Sequence, residues 1–370
     1  MLNELANMNI LYISHLSTNI AAGLNWSVPA SVKAQSIIDN VLWINMTDKL
    51  MSHWTDVSSY HNIKEFGGKL KLESLPIPFD RPDIVVFEGF YYFDDIKFAN
   101  ELKKKIIPYI IVPRSSLTYL ALQNHARLKK WLAHKLFFDK FVRNAAAIQY
   151  LTKKEACDSV KGFKTPYFII PNGFDTPHNK KKSFHDKCIK AVFIGRLDIF
   201  QKGLDLLLDS VASAKNDLQQ ANFFLDIYGP RRYDYDKLKP MILKRGIESL
   251  VELHDEVGGE TKTDVILESD LFIMLSQFEG HPMGLIEALA YGVPCLVTPG
   301  SNMYDEIQTA DAGWVCEGNV ESVVKIFRQI INEKELFDKK SANAVTLSKQ
   351  YEWPVLAKMF HSEVLQLIKK

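Results

Sequence analysis

The chain contains 370 residues, a length that favours two domains over one. Of these residues 47% are hydrophobic and 24% are charged, which is typical of a globular protein. Its formal net charge is only +1, which argues against nucleic acid as the main partner, because nucleic-acid-binding domains are usually strongly basic. The four cysteines (Cys157, Cys188, Cys295 and Cys316) form no Cys-x-x-Cys pair, so the sequence favours reduced thiols over a zinc ribbon or a disulfide framework.

The sequence contains neither a membrane-spanning stretch nor a secretion signal. No apolar run reaches the roughly 18 residues that a spanning helix needs. The first seven residues, Met-Leu-Asn-Glu-Leu-Ala-Asn, include an acidic residue and lack the basic start of a signal peptide. These features predict a cytoplasmic protein.

The first half of the chain alternates short apolar stretches with longer stretches of helical period. Each short stretch is rich in Ile, Val, Phe or Tyr and almost continuously apolar, which is typical of buried parallel strands. The predicted strands are residues 9–14, 83–88, 108–112 and 146–151. The longest stretch of helical period is residues 119–143.

The same alternation restarts in the second half. Residues 177–187 are polar and basic and contain turn residues, so we interpret them as a linker. After this segment, the predicted strands are 191–194, 223–228, 251–254, 271–275 and 295–298. The predicted helices are 203–215, 235–245, 261–269, 283–291, 320–332 and 334–347.

The order of these elements predicts the fold class. Strands that alternate with helices form parallel sheets covered on both faces, so the sequence predicts an α/β protein with two Rossmann-like domains facing across a cleft. Ligands of such sheets bind outside the carboxyl ends of the strands. We therefore expect the functional site in the cleft between the domains.

Two glutamates eight positions apart, Glu279 and Glu287, lie between a predicted strand and a predicted short helix. Pro282 suits the first helical position, and Gly292 suits the residue after the end. Backbone N–H groups at such a helix start point towards a ligand above the strand. A sugar or phosphate ligand can use these groups and a carboxylate. The alternative is that Glu279 is a solvated turn residue and Glu287 a helix-surface carboxylate.

Two basic residues follow the first strand of the second half. Arg196 leaves the end of the strand, and Lys202 precedes a helix. Arginine offers a planar fork for phosphate oxygens and lysine a compact charge, and this combination suits a diphosphate leaving group that gains negative charge. The alternative is that Arg196 simply pairs with Asp198.

Together these stretches resemble the retaining glycosyltransferases of the GT-B fold, family 4 (glycosyl transferases group 1). The resemblance is carried by Gly-Arg-Leu at 195–197, Lys-Gly at 202–203 and Glu-Gly-x-Pro-x-Gly-x-x-Glu-Ala at 279–288. Segments 170–175, 291–298 and 312–314 are also similar to that family. The resemblance covers nearly all of the second half but is loose in the first.

This resemblance implies the GT-B architecture. Residues 1–172 would form the N-terminal acceptor domain and 173–350 the C-terminal nucleotide-sugar donor domain. Residues 351–370, with Trp353 near the start, would form a terminal helix that crosses back to the N-terminal domain.

The resemblance also implies roles for individual residues. Arg196 and Lys202 would bind the donor diphosphate and stabilise it as it leaves, and Glu279 would contact hydroxyls of the donor sugar. Glu287 would bind the ribose, because an ionised carboxylate accepts hydrogen bonds and ribose hydroxyls donate them. The remaining donor-binding residues would be Gly280, His281, Pro282, Met283, Gly284 and Leu285. No covalent intermediate, metal or cofactor is implied.

The first half matches the family's pattern less well. Gly23 is the one glycine after the first strand and would lie near the donor phosphates, or else it is a plain turn glycine. The expected histidine is absent from residues 112–117, where Pro113-Arg114 resembles a family variant instead. Arg114, Ser115 and His15 are therefore the acceptor-side candidates. The alternative for His15 is an ordinary loop histidine.

Two further patterns bear on whether the protein binds a metal ion or a membrane. Asp234-Tyr235-Asp236 matches the metal–nucleotide signature of the other glycosyltransferase fold, but it opens a predicted helix, where acidic residues are favoured electrostatically. We interpret it as a helix start without a metal. Residues 125–138 combine basic and aromatic residues at helical spacing, which predicts either a peripheral membrane contact or a core-packed helix.

The resemblance thus implies a retaining, metal-independent hexosyltransferase that uses a UDP- or GDP-linked sugar. The acceptor would be a glycan or a lipid-linked molecule in bacterial surface polysaccharide assembly, and a peripheral membrane contact would place the protein at the inner face of the membrane. The alternatives are a nucleotide-sugar epimerase or hydrolase of the same fold, and a non-catalytic binding partner in glycan assembly.

Overall fold

The computed structural model describes residues 7–18, 23–118, 137–159 and 164–369. The chain divides into two compact units. The first contains the chain up to Gly173 together with residues from Trp353 onwards, and the second runs from Phe174 to Glu352. The boundaries inferred from the sequence, after residues 172 and 350, lie within two residues of these positions.

The first unit is a parallel sheet with helical connections. Its strands are β1 (Asn9–Ser14), β2 (Asn40–Asn45), β3 (Tyr60–Asn62), β4 (Ile84–Glu88), β5 (Tyr109–Val112), β6 (Ala147–Tyr150) and β7 (Tyr167–Ile169). Its helices before residue 173 are α1 (Leu24–Gln35), α2 (Phe93–Lys105), α3 (Asp139–Asn144) and α4 (Lys153–Asp158), and short 3-10 turns lie at Ser52–Trp54, Ile63–Phe66 and Leu72–Ser74.

The strand order of this sheet is β3-β2-β1-β4-β5-β6-β7, and all neighbouring strands are parallel. All five residues of β4 are buried. Because helices cover both faces of such a sheet, its central strands are apolar along their whole length, which made them recognisable in the sequence.

The second unit repeats this architecture. Its strands are β8 (Ile189–Ile194), β9 (Phe223–Tyr228), β10 (Val251–His254), β11 (Leu271–Met274), β12 (Cys295–Val297) and β13 (Gly313–Val315). Its helices are α5 (Ile199–Lys202), α6 (Leu204–Ser213), α7 (Lys215–Gln220), α8 (Tyr235–Arg245), α9 (Gly259–Glu268), α10 (Met283–Ala290), α11 (Tyr304–Ala310), α12 (Val320–Asn332) and α13 (Phe337–Ser348), with 3-10 turns at Pro299–Ser301, Lys334–Leu336 and Lys349–Tyr351.

The second sheet has the order β10-β9-β8-β11-β12-β13 and is also parallel throughout. In each sheet the chain order reverses at one place, between β1 and β4 in the first and between β8 and β11 in the second. The loops after these neighbouring strands diverge to opposite faces and leave a crevice at the carboxyl edge, which is where ligands of open α/β sheets bind.

The last helix, α14 (Trp353–Ile368), belongs to the first unit and packs against α1. The ring of Phe360 lies 6.1 Å from that of Tyr12 and 6.2 Å from that of Phe168. The fully buried His361 bonds through Nδ1 to both carboxylate oxygens of Asp39, at 2.9 and 3.0 Å. The terminal helix is therefore held by apolar packing and by one buried polar contact.

Several predicted elements match the structure residue for residue, namely β1, β9, β10, α8 and α12. Most of the unpredicted elements are short or weakly patterned, but one exception is β2, a six-residue strand with five buried residues. Strand β13 has three residues, α1 contains Pro29, and α2 carries three lysines in its last turn. Most of the predicted helix 119–143 lies outside the described residues.

The interpretation of residues 177–187 as a linker is wrong, because this segment lies inside the second unit. Lys181 Nζ lies 3.3 Å from Asp270 Oδ1, and both side chains are only 2% exposed. His185 also bonds to Asp270, and the ring of Phe184 packs 5.2 Å from that of Phe337. Two of the basic residues in this segment, Lys181 and His185, are thus paired with one buried carboxylate, Asp270, which follows α9 in the sequence.

In the described ranges, no helix combines the length and the apolar character that a membrane-spanning helix needs.

Replacing Asp39 with alanine should destabilise the first unit. Asp39 accepts hydrogen bonds from His361, from the backbone N–H of Met8 and from the side chain of Gln35. Loss of this acceptor leaves buried donors without a partner, and we expect the free energy of unfolding to fall by about 3 kcal/mol. Urea unfolding measures the change. The exposed Asp56→Ala is the control, and an equal effect of both variants would contradict this account.

Candidate functional site

The candidate site of the second unit lies at the crevice between β8 and β11. These strands are direct neighbours, with Leu271 opposite Ala191 and Phe272 opposite Val192. The loop after β8 carries Arg196 and leads into α5, which ends at Lys202. The loop after β11 carries Glu279 and leads into α10. The fold therefore gathers residues that are about 80 positions apart in the sequence.

Lys202 and Glu279 form an ion pair at the centre of this crevice. Lys202 Nζ lies 2.5 Å from Glu279 Oε1, and the two side chains are 9% and 8% exposed. The hydroxyl of Ser276 donates to the same oxygen at 2.7 Å. Within the described ranges the other oxygen, Glu279 Oε2, has no hydrogen-bond partner. Glu279 is thus a fixed, nearly buried carboxylate and not a solvated turn residue.

The close approach of the two loops depends on Gly203, which follows Lys202. Its φ angle is +62°, and a Cβ atom at this position would lie 2.1 Å from the carbonyl oxygen of Leu275. The backbone N–H of Gln277 also donates to the carbonyl of Gln201 at 2.9 Å. Glycine therefore lets the end of α5 lie directly against the end of β11, and this contact brings Lys202 within reach of Glu279.

Arg196 is exposed and held more loosely. Its Nη2 donates to Gln201 Oε1 at 3.1 Å, and its guanidinium lies 5.8 Å from the ring centre of Tyr233. Asp198 instead caps α5 by accepting a hydrogen bond from the Gln201 N–H at 2.9 Å. The expected alternative, a pair of Arg196 with Asp198, does not occur among the described contacts. The guanidinium is accessible to an anionic ligand.

Glu287 lies on α10, half-buried, and its carboxylate forms an ion pair with Lys262. Helix α10 begins at Met283, so Pro282 is the residue before the helix and not the first helical residue that the sequence predicted. The end of the loop between β11 and α10 and the first turn of α10 are formed by the predicted donor-binding residues Gly280, His281, Pro282, Met283, Gly284 and Leu285. Gly284 approaches the carbonyl of Ile194 in β8, where a Cβ atom would be 3.4 Å away.

His281 differs from the cationic residues around it. Its Nδ1 is buried and has no hydrogen-bond partner among the described residues, and its ring centre lies 5.3 Å from that of Tyr351. Burial lowers the pKa of His281 to about 3, so the imidazole is neutral near pH 7. The imidazole of His281 therefore contributes packing and a neutral hydrogen-bonding group, whereas the positive charge of the site comes from Arg196 and Lys202.

The acceptor-side candidates Arg114 and Ser115 lie after β5 in the first unit, and both have positive φ angles. Arg114 donates to Glu88 through Nε at 3.0 Å and approaches it through Nη2 at 2.9 Å, and the two side chains are 7% and 3% exposed. The N–H of Ser115 donates to the buried Glu155. Arg114 is therefore turned inward onto its own unit.

His15 lies at the carboxyl end of β1, beside the crevice of the first sheet. Its Nε2 lies 2.7 Å from Asp95 Oδ1, and its ring stacks on Tyr92 with centres 3.6 Å apart. Burial raises the pKa of the Asp95 carboxyl. In the described part of the chain, His15 Nδ1 has no hydrogen-bond partner. The imidazole is thus oriented by a carboxylate and keeps one nitrogen for a ligand.

Gly23 directly precedes α1, and its carbonyl accepts hydrogen bonds from the N–H groups of Trp26 and Ser27. Its φ angle of −55° is open to any residue, and a Cβ atom would meet nothing within 4 Å. Glycine is therefore not required by the local backbone. The proposed membrane contact at 125–138 lies outside the described residues except for Phe137 and Phe138, which are 46% exposed and 1% exposed.

Across the described ranges, one group of three side chains lies close enough to hold a metal ion: Asp226, Glu252 and His254 on β9 and β10. His254 Nε2 already bonds to Asp226 at 2.8 Å. Asp234 of the acidic triplet precedes α8, accepts from the Ile199 N–H and pairs with Lys237. Its contacts are those of a helix start.

Sequence reasoning missed Ser276 and Asn302, which hold Glu279 and its loop, and Asp95, which orients His15. Ser276 has a local signal, since it ends the apolar run of β11 three residues before Glu279. Asn302 and Asp95 have none, because they lie 23 and 80 residues from the groups they contact.

Comparisons with known proteins identify a matching family and similar folds. The family described as Glycosyl transferases group 1 matches residues 175–346. The chain is 30% identical over 156 residues to mannosylfructose-phosphate synthase of Agrobacterium fabrum, covering 38% of this chain and 34% of that protein. It is 35% identical over 91 residues to N-acetyl-alpha-D-glucosaminyl L-malate synthase of Bacillus anthracis, covering 23% of this chain and 24% of that protein. The matches thus span about a third or less of these relatives.

Solved structures match nearly the whole chain. HepE of Anabaena in complex with UDP gives a TM-score of 0.72 at 14% identity, covering 97% of this chain and 100% of that one. Sucrose-phosphate synthase from Thermosynechococcus elongatus gives 0.69 at 13% identity, covering 98% and 100%. The second unit is a group 1 glycosyltransferase domain, and the two Rossmann-like units have the folds of GT-B glycosyltransferases.

The low pKa of His281 should make the stability of the protein depend on pH. Between about pH 6.5 and pH 3 the unfolded chain binds a proton that the folded His281 does not, so acidification favours unfolding. The contribution is at most about 1.4 kcal/mol per pH unit. Urea unfolding between pH 6.5 and 4.5 should therefore show a shallower loss of stability in His281→Gln than in the wild type. The exposed His178→Gln should keep the wild-type slope, and equal slopes in all three proteins would contradict the assignment.

Proposed function

We propose that this chain is a retaining, metal-independent hexosyltransferase that uses a nucleotide diphosphate sugar as donor. The observation that carries the proposal is the convergence of Arg196, Lys202 and Glu279 on the crevice between β8 and β11. Two cations there suit a diphosphate, and a carboxylate with one unpartnered oxygen suits the hydroxyls of a sugar.

The diphosphate would be held by Arg196 and Lys202. Arg196 is accessible and has one neutral partner, so it can reorient towards phosphate oxygens at little cost. Lys202 is already fixed beside Glu279 and supplies a positive charge that needs no rearrangement as charge develops on the leaving group. Glu279 Oε2 would accept from a hydroxyl of the donor sugar, and Glu287 would exchange Lys262 for the hydroxyls of the ribose.

In the transfer step, the bond between the anomeric carbon and the diphosphate oxygen breaks while a bond to the acceptor oxygen forms on the same face. The proton of the acceptor hydroxyl passes to the departing phosphate. No covalent enzyme intermediate is needed, so Glu279 acts as a hydrogen-bond acceptor and not as a nucleophile. In this proposal His15 Nδ1 would bind a hydroxyl of the acceptor, while Arg114 and Ser115 shape the loop beside it.

The identities of the nucleotide and the acceptor are proposed from the chemistry of the site residues and from the similarity to solved structures. HepE of Anabaena binds UDP in its solved structure, and WaaB, at 18% identity and a TM-score of 0.67, is a lipopolysaccharide outer core galactosyltransferase. The likeness to HepE supports a nucleotide-linked donor sugar, which we propose to be UDP- or GDP-linked. The likeness to WaaB supports a glycan or lipid-linked acceptor in surface polysaccharide assembly.

A thermal-shift screen tests the nucleotide site. UDP, GDP, ADP and their common hexose derivatives are added to the wild type, to Arg196→Ala and to Arg328→Ala. One base should stabilise the wild type by about 2.7 kcal/mol at a concentration of 100 Kd. Arg196→Ala should lose most of this shift, whereas Arg328→Ala should keep it, because Arg328 is exposed and pairs with Asp217.

One outcome of this screen, and one result of a separate turnover assay with the bound nucleotide sugar alone, would overturn the proposal. If no nucleotide shifts the wild type, a non-catalytic partner in glycan assembly becomes the better interpretation. If the bound nucleotide sugar is consumed in the absence of any acceptor, the chain is an epimerase or a hydrolase of this fold.

The stereochemistry of the product tests the retaining mechanism. With an α-linked donor sugar of gluco or galacto configuration, proton NMR of the initial product should show the small coupling constant of an α-linked anomeric proton, because the acceptor attacks the face from which the phosphate leaves. A β-linked initial product would require an inverting mechanism with a separate general base. His15, oriented by Asp95, would then be the first residue to examine.

A further inference from the structure

Asn302 has a backbone conformation that glycine adopts more easily than any other residue. It follows the 3-10 turn Pro299–Ser301, and its φ angle is +61° with ψ at 18°. Asparagine is among the few residues with a side chain that occur in this left-handed region. Since glycine would satisfy the backbone without strain, the side chain of Asn302 needs a separate explanation.

The side-chain amide of Asn302 holds the loop that carries Glu279. Its Nδ2 donates to the carbonyl oxygen of Glu279 and, at 3.0 Å, to the carbonyl oxygen of Gly280. An amide NH2 group has two hydrogens, so it can serve both acceptors at once. Asn302 Oδ1 is buried and has no partner among the described residues. The opposite orientation of the amide would place this oxygen against two carbonyls, so the contacts themselves decide the assignment.

Holding two successive carbonyls fixes two successive peptide planes. In a trans peptide the N–H points opposite to the C=O. The N–H groups of Gly280 and His281 therefore point away from Asn302. Within the described residues neither has a hydrogen-bond acceptor. Two adjacent backbone donors of this kind form a concave site for an oxygen anion or another strong acceptor.

These two donors lie between the other groups of the site. They directly follow Glu279, which is paired with Lys202, and they precede α10. The N–H groups of Met283 and Gly284 at the start of α10 have no backbone acceptor among the described residues, whereas those of Leu285 and Ile286 donate to the Pro282 carbonyl. A ligand oxygen bound here lies next to both a fixed cation and a fixed carboxylate. The orientation of the two N–H groups is thus a property of the site that a single side chain, Asn302, controls.

We propose that Asn302 is a positioning residue that aims the N–H groups of Gly280 and His281 at oxygen atoms of the nucleotide sugar. The inference rests on the proposed function, since it assigns a role within the same donor site. The bound oxygens belong either to the diphosphate or to the sugar. Removal of the amide frees both peptide planes to rotate, and the donor then has to order them on binding.

Three variants separate this role from a purely structural one. Asn302→Gly keeps the left-handed backbone and removes the amide. Asn302→Asp keeps the shape but sets a carboxylate oxygen against the two carbonyls, which repels them. Asn222→Gly is the matched control, because Asn222 also has a positive φ angle, lies in the same unit and donates to a backbone carbonyl, that of Lys187.

Calorimetric titration with UDP, GDP and the corresponding nucleotide sugars gives the affinity and the stoichiometry separately. We expect Asn302→Gly to bind the nucleotide sugar about tenfold more weakly than the wild type, in line with the loss of two ordinary hydrogen bonds. Asn302→Asp should bind at least as weakly as Asn302→Gly, and Asn222→Gly should bind like the wild type. The fraction of binding-competent protein should be the same in all four proteins.

The two ligand types identify the oxygens. An equal loss for the nucleoside diphosphate and the nucleotide sugar assigns the N–H groups to the diphosphate, and a loss confined to the nucleotide sugar assigns them to the sugar. Wild-type affinity of Asn302→Gly for both ligands overturns the inference and leaves the proposed function intact. A lowered stoichiometry at unchanged affinity also overturns it, since that is the signature of misfolding alone. If the wild type binds none of these ligands, the proposed function and the inference fail together.

Discussion

The arrangement of the second unit's site depends on one ion pair, between Lys202 and Glu279. Burying a single charge costs several kcal/mol, and a well-placed partner offsets much of that cost. Each of these two side chains therefore keeps the other in place, and the loops after β8 and β11 are held together with them. Ser276 and Asn302 add hydrogen bonds around the same glutamate, one to its side chain and one to its backbone. The proposed ligand, which brings its own phosphate charge and hydroxyl groups, would meet a site whose groups are already in position.

The features that could be predicted from the sequence are those with local causes. Strand β9 follows from a largely apolar run, β10 alternates apolar and polar residues (Val-Glu-Leu-His), and α8 and α12 follow from helical periodicity and end signals. These elements agree with prediction to the residue. Arg196, Lys202 and Glu279 were identified because each lies at the end of a recognisable strand or beside a helix. Asn302 and Asp95 act on residues far away in the chain, and only the folded structure shows which carbonyls or which imidazole they contact.

The segment around Lys181 illustrates a different limit of sequence reasoning. Charge density alone predicted a solvated linker, because lysines are rarely buried. In the structure Asp270 receives both Lys181 and His185, and the segment packs on the second unit. The deciding residue lies about 90 positions away and is itself an unremarkable aspartate in the sequence. The composition of a segment therefore predicts only the average exposure of its residues, whereas a single buried countercharge can bury one of its lysines.

The placement of α14 makes the first unit discontinuous in the chain, since residues 174–352 separate its two parts. Trp353, Leu356, Phe360 and Val364 complete an apolar layer that includes Trp43 and Phe168. During synthesis, the whole second unit emerges from the ribosome before the first unit receives the helix that closes its core. The nascent first unit therefore exposes apolar surface for longer than its position at the amino terminus would suggest. A product that stops before Trp353 keeps every residue of the second unit but leaves that apolar layer uncovered, which makes it a target for chaperones and proteases.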